Sequence, residues 1–190
     1  MKFSELPLGE AVLTGITNAG FETCTDVQER VLPVTLTGSD VMVQSKTGSG
    51  KTAVYALTIL ESFVAAQQEG KQIKALIIAP TRELAVQIDA DIKELATGVK
   101  DFRVGCFYGG VGYAKQDEWI AQGVDVYVAT PGRILDYQKM QKIDFRQFDI
   151  FVVDEADRLF DMGFYPDIQK MFSLLREAKM RQTMLFSATL

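Results

Sequence analysis

Histidine is absent from this chain. That removes Ser/His and Cys/His nucleophile schemes and any metal site built on imidazole. Cysteine is scarce, with only Cys24 and Cys106. Such usage fits a reducing compartment, and each thiol reads as a small buried side chain rather than a reactive one. No apolar run approaches the ~18 residues of a membrane span. The opening MKFSELPLGE places an acid and a Pro where a signal peptide has its apolar core. The expectation is a cytoplasmic protein without a membrane partner. Positive charge is also short, with 20 Lys+Arg against 25 Asp+Glu and a net charge of −5. This argues mildly against a general nucleic-acid binder, although gripping a strand needs only a local basic groove.

What is present fits one α/β domain. A length of 190 residues, 47% hydrophobic and 24% charged, suffices for a full core. Strands are expected at Val41–Gln44, Ala75–Ala79, Val104–Tyr108, Val126–Ala129, Ile150–Val153 and Thr183–Phe186. Helices alternate with them. Lys51–Ala66, Leu84–Leu95 and Phe164–Leu175 each repeat apolar residues at the helical period. Alternation of this kind means a mainly parallel sheet with helices on both faces. A helical region at Leu8–Leu36 precedes the first core strand. Residues 1–36 are read as an N-terminal region and 37–190 as the core, together one domain.

Ser45-Lys46-Thr47-Gly48-Ser49-Gly50-Lys51-Thr52 lies between the first strand and a helix start. Unpaired N–H groups and the helix dipole favour an anion there. Gly48 and Gly50 allow backbone shapes that let those N–H groups wrap a phosphate. Lys51 would reach the outer phosphates, and Thr52 would ligate Mg²⁺. An ordinary Gly-rich turn shares the glycines but not the ordered strand, Lys-Thr pair and helix. Lys46 reads either as an added charge near the nucleotide or as a solvated lysine. Asp149–Asp157, DIFVVDEAD, is a run of β-formers ending in acids. Ligands bind beyond the carboxyl ends of parallel strands. Asp154 would hold Mg²⁺ there through water, and Glu155 would orient or deprotonate an attacking water. An acidic helix start is the alternative.

With these residues in place, the chain resembles the N-terminal RecA-like lobe of DEAD-box ATP-dependent RNA helicases. The resemblance runs from Phe3 to Thr189. SKTGSGKT, with Ser45 where a Gly usually leads, is similar to the family's motif I, and Asp154-Glu155-Ala156-Asp157 to motif II. Pro80–Ala85 (PTRELA), Gly109-Gly110, Thr130–Arg133 (TPGR) and Ser187–Thr189 (SAT) are similar to motif Ia, the GG element, motif Ib and motif III. Gly20–Gln28 resembles the Q motif, with Cys24 and Asp26 in place of its usual prolines.

The resemblance implies a RecA-like P-loop NTPase fold, ATP and Mg²⁺ as cofactors, and RNA as a partner held by sugar and phosphate. Gln28 would bond the adenine edge and Phe21 would stack on its ring, while Thr25-x-x-Gln28 also fits a helix capping box. Pro80, Thr81, Arg82, Gly109, Gly110, Thr130, Pro131, Gly132 and Arg133 are implied RNA contacts. Thr130 and Pro131 also fit a plain helix start, and either Arg could pair with a phosphate or support its loop. Ser187 and Thr189 would couple the site to closure through Asp157, or simply form a turn.

The family needs a second RecA-like lobe carrying arginine fingers. The expectation is therefore a monomeric piece of a longer protein that binds nucleotide with little turnover alone. A DNA helicase or translocase lobe, another P-loop enzyme such as a transporter ATPase or small-molecule kinase, and a non-enzymatic RNA clamp are the rival readings.

Overall fold

Six strands of four to six residues form one parallel sheet, in the order β1-β6-β5-β2-β4-β3. They are β1 (Val41–Gln44), β2 (Ala75–Ile78), β3 (Val104–Phe107), β4 (Val126–Ala129), β5 (Ile150–Val153) and β6 (Gln182–Ser187). The computed structural model describes residues 1–190. The helices are α1 (Glu10–Asn18), α2 (Asp26–Thr35), α3 (Lys51–Gln68), α4 (Arg82–Leu95), α5 (Ala114–Gln122), α6 (Pro131–Lys139), α7 (Ala156–Asp161) and α8 (Tyr165–Leu174).

The expected elements fall close to these bounds, and the differences have local causes. The helical region at 8–36 is two helices, broken by Gly20 at φ 83°. Helix α4 begins at Arg82 because the Thr81 hydroxyl accepts from Leu84 N and caps it. Strand β6 begins at Gln182, whose buried amide donates to Thr35 O and Ser39 O.

Period-2 alternation sends each strand's side chains to two different cores. Ala75 and Ile77 of β2 join the core under α1–α4, together with Val126, Val128, Ile150 and Val152. Leu76 and Ile78 join the opposite core, where Ile134 of α6, Leu159 of α7 and Met171 of α8 pack. The expected α/β architecture with both sheet faces covered is therefore the observed one. Phe3, Val12, Ile16 and Leu32, from the first 36 residues, lie within the α1–α4 core. Both cysteines are buried and unpaired. Burial, with the Asp89 charge nearby, pushes the Cys106 thiol up to about 12, so it stays protonated at neutral pH.

Gly15 marks the tightest helix contact. A Cβ there would sit 1.9 Å from Leu95 O, at the end of α4. Gly15→Ala would gain about 1 kcal/mol of helix propensity. It would lose more, about 1–3 kcal/mol, by forcing the helices apart. The expected net result is a lower urea midpoint; a midpoint equal to or above that of the parent would show that α1 shifts freely.

Candidate active site

Every motif loop but the Gly20–Gln28 segment, which lies between α1 and α2, follows the carboxyl end of a strand, so these loops share one end of the sheet. The phosphate loop leaves β1, the DEAD acids leave β5 and the SAT segment leaves β6. Pro80–Arg82, Tyr108–Gly110 and Thr130–Arg133 leave β2, β3 and β4. The strand order thus groups the loops after β1, β6 and β5 in one half of this end and those after β2, β4 and β3 in the other.

Gly50 is the N-cap of α3 with φ 87°, a left-handed conformation open to glycine. A Cβ there would also meet Gln28 Nε2 at 2.4 Å. That close approach exists because the α2 start braces the loop. Gln28 Nε2 donates to Gly50 O at 3.0 Å, and Thr25 Oγ1 donates to Ser49 O at 2.8 Å. The capping box is formed as well: Gln28 Oε1 accepts from Thr25 N at 2.9 Å. Gln28 is buried, while Phe21 is 50% exposed. Both line a cleft of ≈ 420 Å³ that runs past Thr47, Gly48 and Gly50 to Lys51, Thr52, Asp154 and Glu155. The N–H groups of Thr47, Gly48 and Gly50 donate to no acceptor within the chain. Ser45 Oγ and Ser49 Oγ are buried without a partner. Lys46 is exposed and borders a neighbouring groove with Arg30 and Met42. Free donors, a cation and a helix start fit an anionic ligand.

Asp154 is fully buried, and its two oxygens have different partners. Lys51 Nζ lies 3.1 Å from Oδ1, which also accepts from Glu155 N at 2.8 Å. Tyr55 donates its hydroxyl to Oδ2 at 2.7 Å. Burial, reinforced by the Asp154 charge, holds the Tyr55 phenol well above its usual range, so it remains a donor. Glu155 caps α7 in a left-handed conformation, φ 49°, and its carboxylate lies 3.3 Å from Arg158. No three acidic or cysteine side chains converge as a complete metal cage. Thr52 and Asp154 offer hard oxygen donors, which suits Mg²⁺ sharing its shell with water and phosphate.

The SAT segment meets the DEAD acids directly. Asp157 N donates to Ser187 Oγ at 3.2 Å, and Thr189 Oγ1 donates to Asp157 Oδ2 at 3.2 Å. Ser187 in turn donates to Thr189 O. Burial works to raise the Asp157 carboxyl. The Arg158 and Ala188 amides and the Ser187 and Thr189 hydroxyls outweigh it and hold the group below its usual range.

The second half of this end is less uniform than its motifs. Gly109, Gly110 and Gly132 are exposed, Thr81 and Thr130 are half-buried, and Pro80 and Pro131 are buried. Pro131 occupies the first turn of α6, but the Thr130 side chain makes no capping bond. Arg82 is exposed, with its guanidinium 4.6 Å from the Tyr108 ring centroid. Arg133 turns inward instead and is buried. It donates to Gln116 Oε1 at 3.0 Å and Val111 O at 2.7 Å, and stacks 4.1 Å from the Tyr113 centroid. Of the two roles open to Arg133, phosphate pairing and loop support, this geometry is the second. A guanidinium already bonded beneath its loop presents no fork to solvent.

Sequence reasoning missed Tyr55 and Gln116. Tyr55 stands three residues after Thr52, hence on the same helix face, and that spacing was a usable signal. Gln116, buried between Tyr108 O and Arg133, had none.

Residues 25–190 match the family described as DEAD/DEAH box helicase. The chain is 43% identical over 193 residues to the ATP-dependent RNA helicase RhlB of Psychromonas ingrahamii, covering 100% of this chain and 46% of that protein. It is 44% identical to the RhlB of Xanthomonas axonopodis pv. citri, covering 99% of this chain and 34% of that one. A DEAD box protein from the hyperthermophile Methanococcus jannaschii superposes with a TM-score of 0.89 at 37% identity, over 100% of this chain and 50% of that one. A hypothetical ATP-dependent RNA helicase from Sulfolobus tokodaii does so at 0.85 and 39%, over 96% and 51%. The chain therefore spans half or less of the length of these curated relatives.

Proposed function

The chain belongs to the DEAD/DEAH box helicase family, and from that premise we propose that it is the ATP- and RNA-binding lobe of a two-lobe RNA helicase. In the whole protein, ATP binding and hydrolysis would drive local unwinding of RNA or remodelling of its complexes. The observation that carries this reading is the cleft itself. One continuous surface joins Phe21 and Gln28, through the unpaired loop amides, to Lys51, Thr52, Asp154 and Glu155.

Each residue has a stated task. Phe21 and Gln28 take the adenine, with Gln28 also holding the loop through Gly50 O. Thr47, Gly48, Gly50 and Lys51 take the phosphates, and Ser45 and Ser49 shape the turn beneath them. Thr52 and Asp154 would hold Mg²⁺, which when bound offsets charge on the outer phosphates. Glu155 orients the attacking water. Asp157, Ser187 and Thr189 connect this site to lobe closure. Pro80–Arg82, Gly109-Gly110 and Thr130–Gly132 face the RNA backbone, and Arg133 holds the glycine loop from below. The fragment from 1 to 36 works as the adenine-reading part of one domain.

The test is nucleotide choice. Fluorescent ATP should bind this chain more tightly than the matching GTP analogue, and only ATP affinity should depend strongly on Gln28. Gln28→Ala is expected to weaken ATP by about tenfold, the scale of one or two buried hydrogen bonds, and to narrow the gap to GTP. Equal binding of ATP and GTP by the unaltered chain would remove the adenine assignment.

A further inference from the structure

Tyr55 belongs to none of the motifs, yet it bonds to one of them and neighbours two others. Its hydroxyl donates to Asp154 Oδ2 at 2.7 Å. Thr52 stands one helical turn back on the same face of α3. Its ring packs edge-on against Phe186, centroids 5.4 Å apart, next to Ser187. Tyr55 and Asp154 are both fully buried.

We propose that Tyr55 is a positioning residue that aims the Asp154 carboxylate for Mg²⁺. This rests on the nucleotide-site reading above. With Oδ2 tied to Tyr55 the carboxylate cannot rotate freely, so Oδ1 stays paired with Lys51, which lines the cleft. A fully buried carboxylate oxygen must find a donor, and the only side-chain donor reaching Oδ2 is this hydroxyl. Groups that orient a metal-binding carboxylate from behind are typically worth about 10- to 100-fold in metal affinity.

The experiment is a Mg²⁺ titration of fluorescent ATP binding to this chain. Tyr55→Phe keeps the ring against Phe186 and removes only the hydroxyl. The expected result is a Mg²⁺ midpoint raised about tenfold or more, with ATP affinity in EDTA unchanged. In an Asp154→Asn background the same substitution should shift the Mg²⁺ response little further, because the group it aims is gone. Tyr55→Met, which also lacks the hydroxyl, should repeat the shift and covers the case in which the Phe variant folds poorly. A purely structural hydroxyl would lower the urea midpoint in both backgrounds and leave the Mg²⁺ midpoint alone; that outcome overturns the proposal. If the unaltered chain binds ATP without any Mg²⁺ dependence, the nucleotide site stands but holds no metal at Asp154, and this proposal is overturned; if it binds no ATP at all, the nucleotide-site reading itself fails.

Discussion

Glu155→Gln, in a protein that pairs this lobe with a second one, is expected to lower ATP turnover by about 10²–10⁴-fold, the range of a positioned general base. Nucleotide binding should persist, and ATP and RNA should remain bound together because the closed state cannot discharge. The structure explains why the substitution should be mild for the fold. Glu155 is half-buried, its carboxylate pairs only with Arg158, and its backbone N–H is the group bonded to Asp154. A Gln keeps that amide and nearly the same shape. The αL backbone at φ 49° is strained to a similar degree for both residues. Single-turnover hydrolysis and a filter-binding assay of retained RNA separate the two effects. Normal hydrolysis by the variant would show that another group handles the water.

Lys51→Met carries the largest expected cost to stability. Lys51 and Asp154 form an ion pair at 3.1 Å with side chains 8% and 1% exposed. Removing one member of such a pair strands the other and typically costs about 3–5 kcal/mol. Total stability of a domain is only about 5–15 kcal/mol, so the single variant should sit near its unfolding threshold. It should also lose phosphate affinity. Lys51→Met combined with Asp154→Asn should recover much of the stability, because the stranded charge is gone while the amide can still accept from Tyr55. It should not recover nucleotide binding. Urea unfolding of the single and double variants decides this; a single variant within about 1 kcal/mol of the parent would mean that water reaches Asp154 and solvates it.

The contrast between Gln28 and Arg133 shows how far sequence could be read. Thr25-x-x-Gln28 predicted a capping box, and the box is there. Spacing could not show that the same amide also holds Gly50 O, because α2 and the phosphate loop come together only on folding. Arg133 had two roles open, and nothing in TPGR chose between them. In the folded chain Gln116 and Tyr113 offer its guanidinium an acceptor and a ring beneath the loop, which favours loop support.

The sequence by itself determined the fold class, and it brought the proposed site residues into view as short motifs. Apolar periods mark strands and helices locally, and the proposed phosphate loop is eight consecutive residues. Strand order, and with it the meeting of β1, β6 and β5, was decided only in three dimensions. So was the identity of Tyr55 as the partner of Asp154, across 99 residues of chain. The physical reason is desolvation. Which polar groups must satisfy one another depends on which are buried together, and that is a property of the packed core rather than of any local spacing.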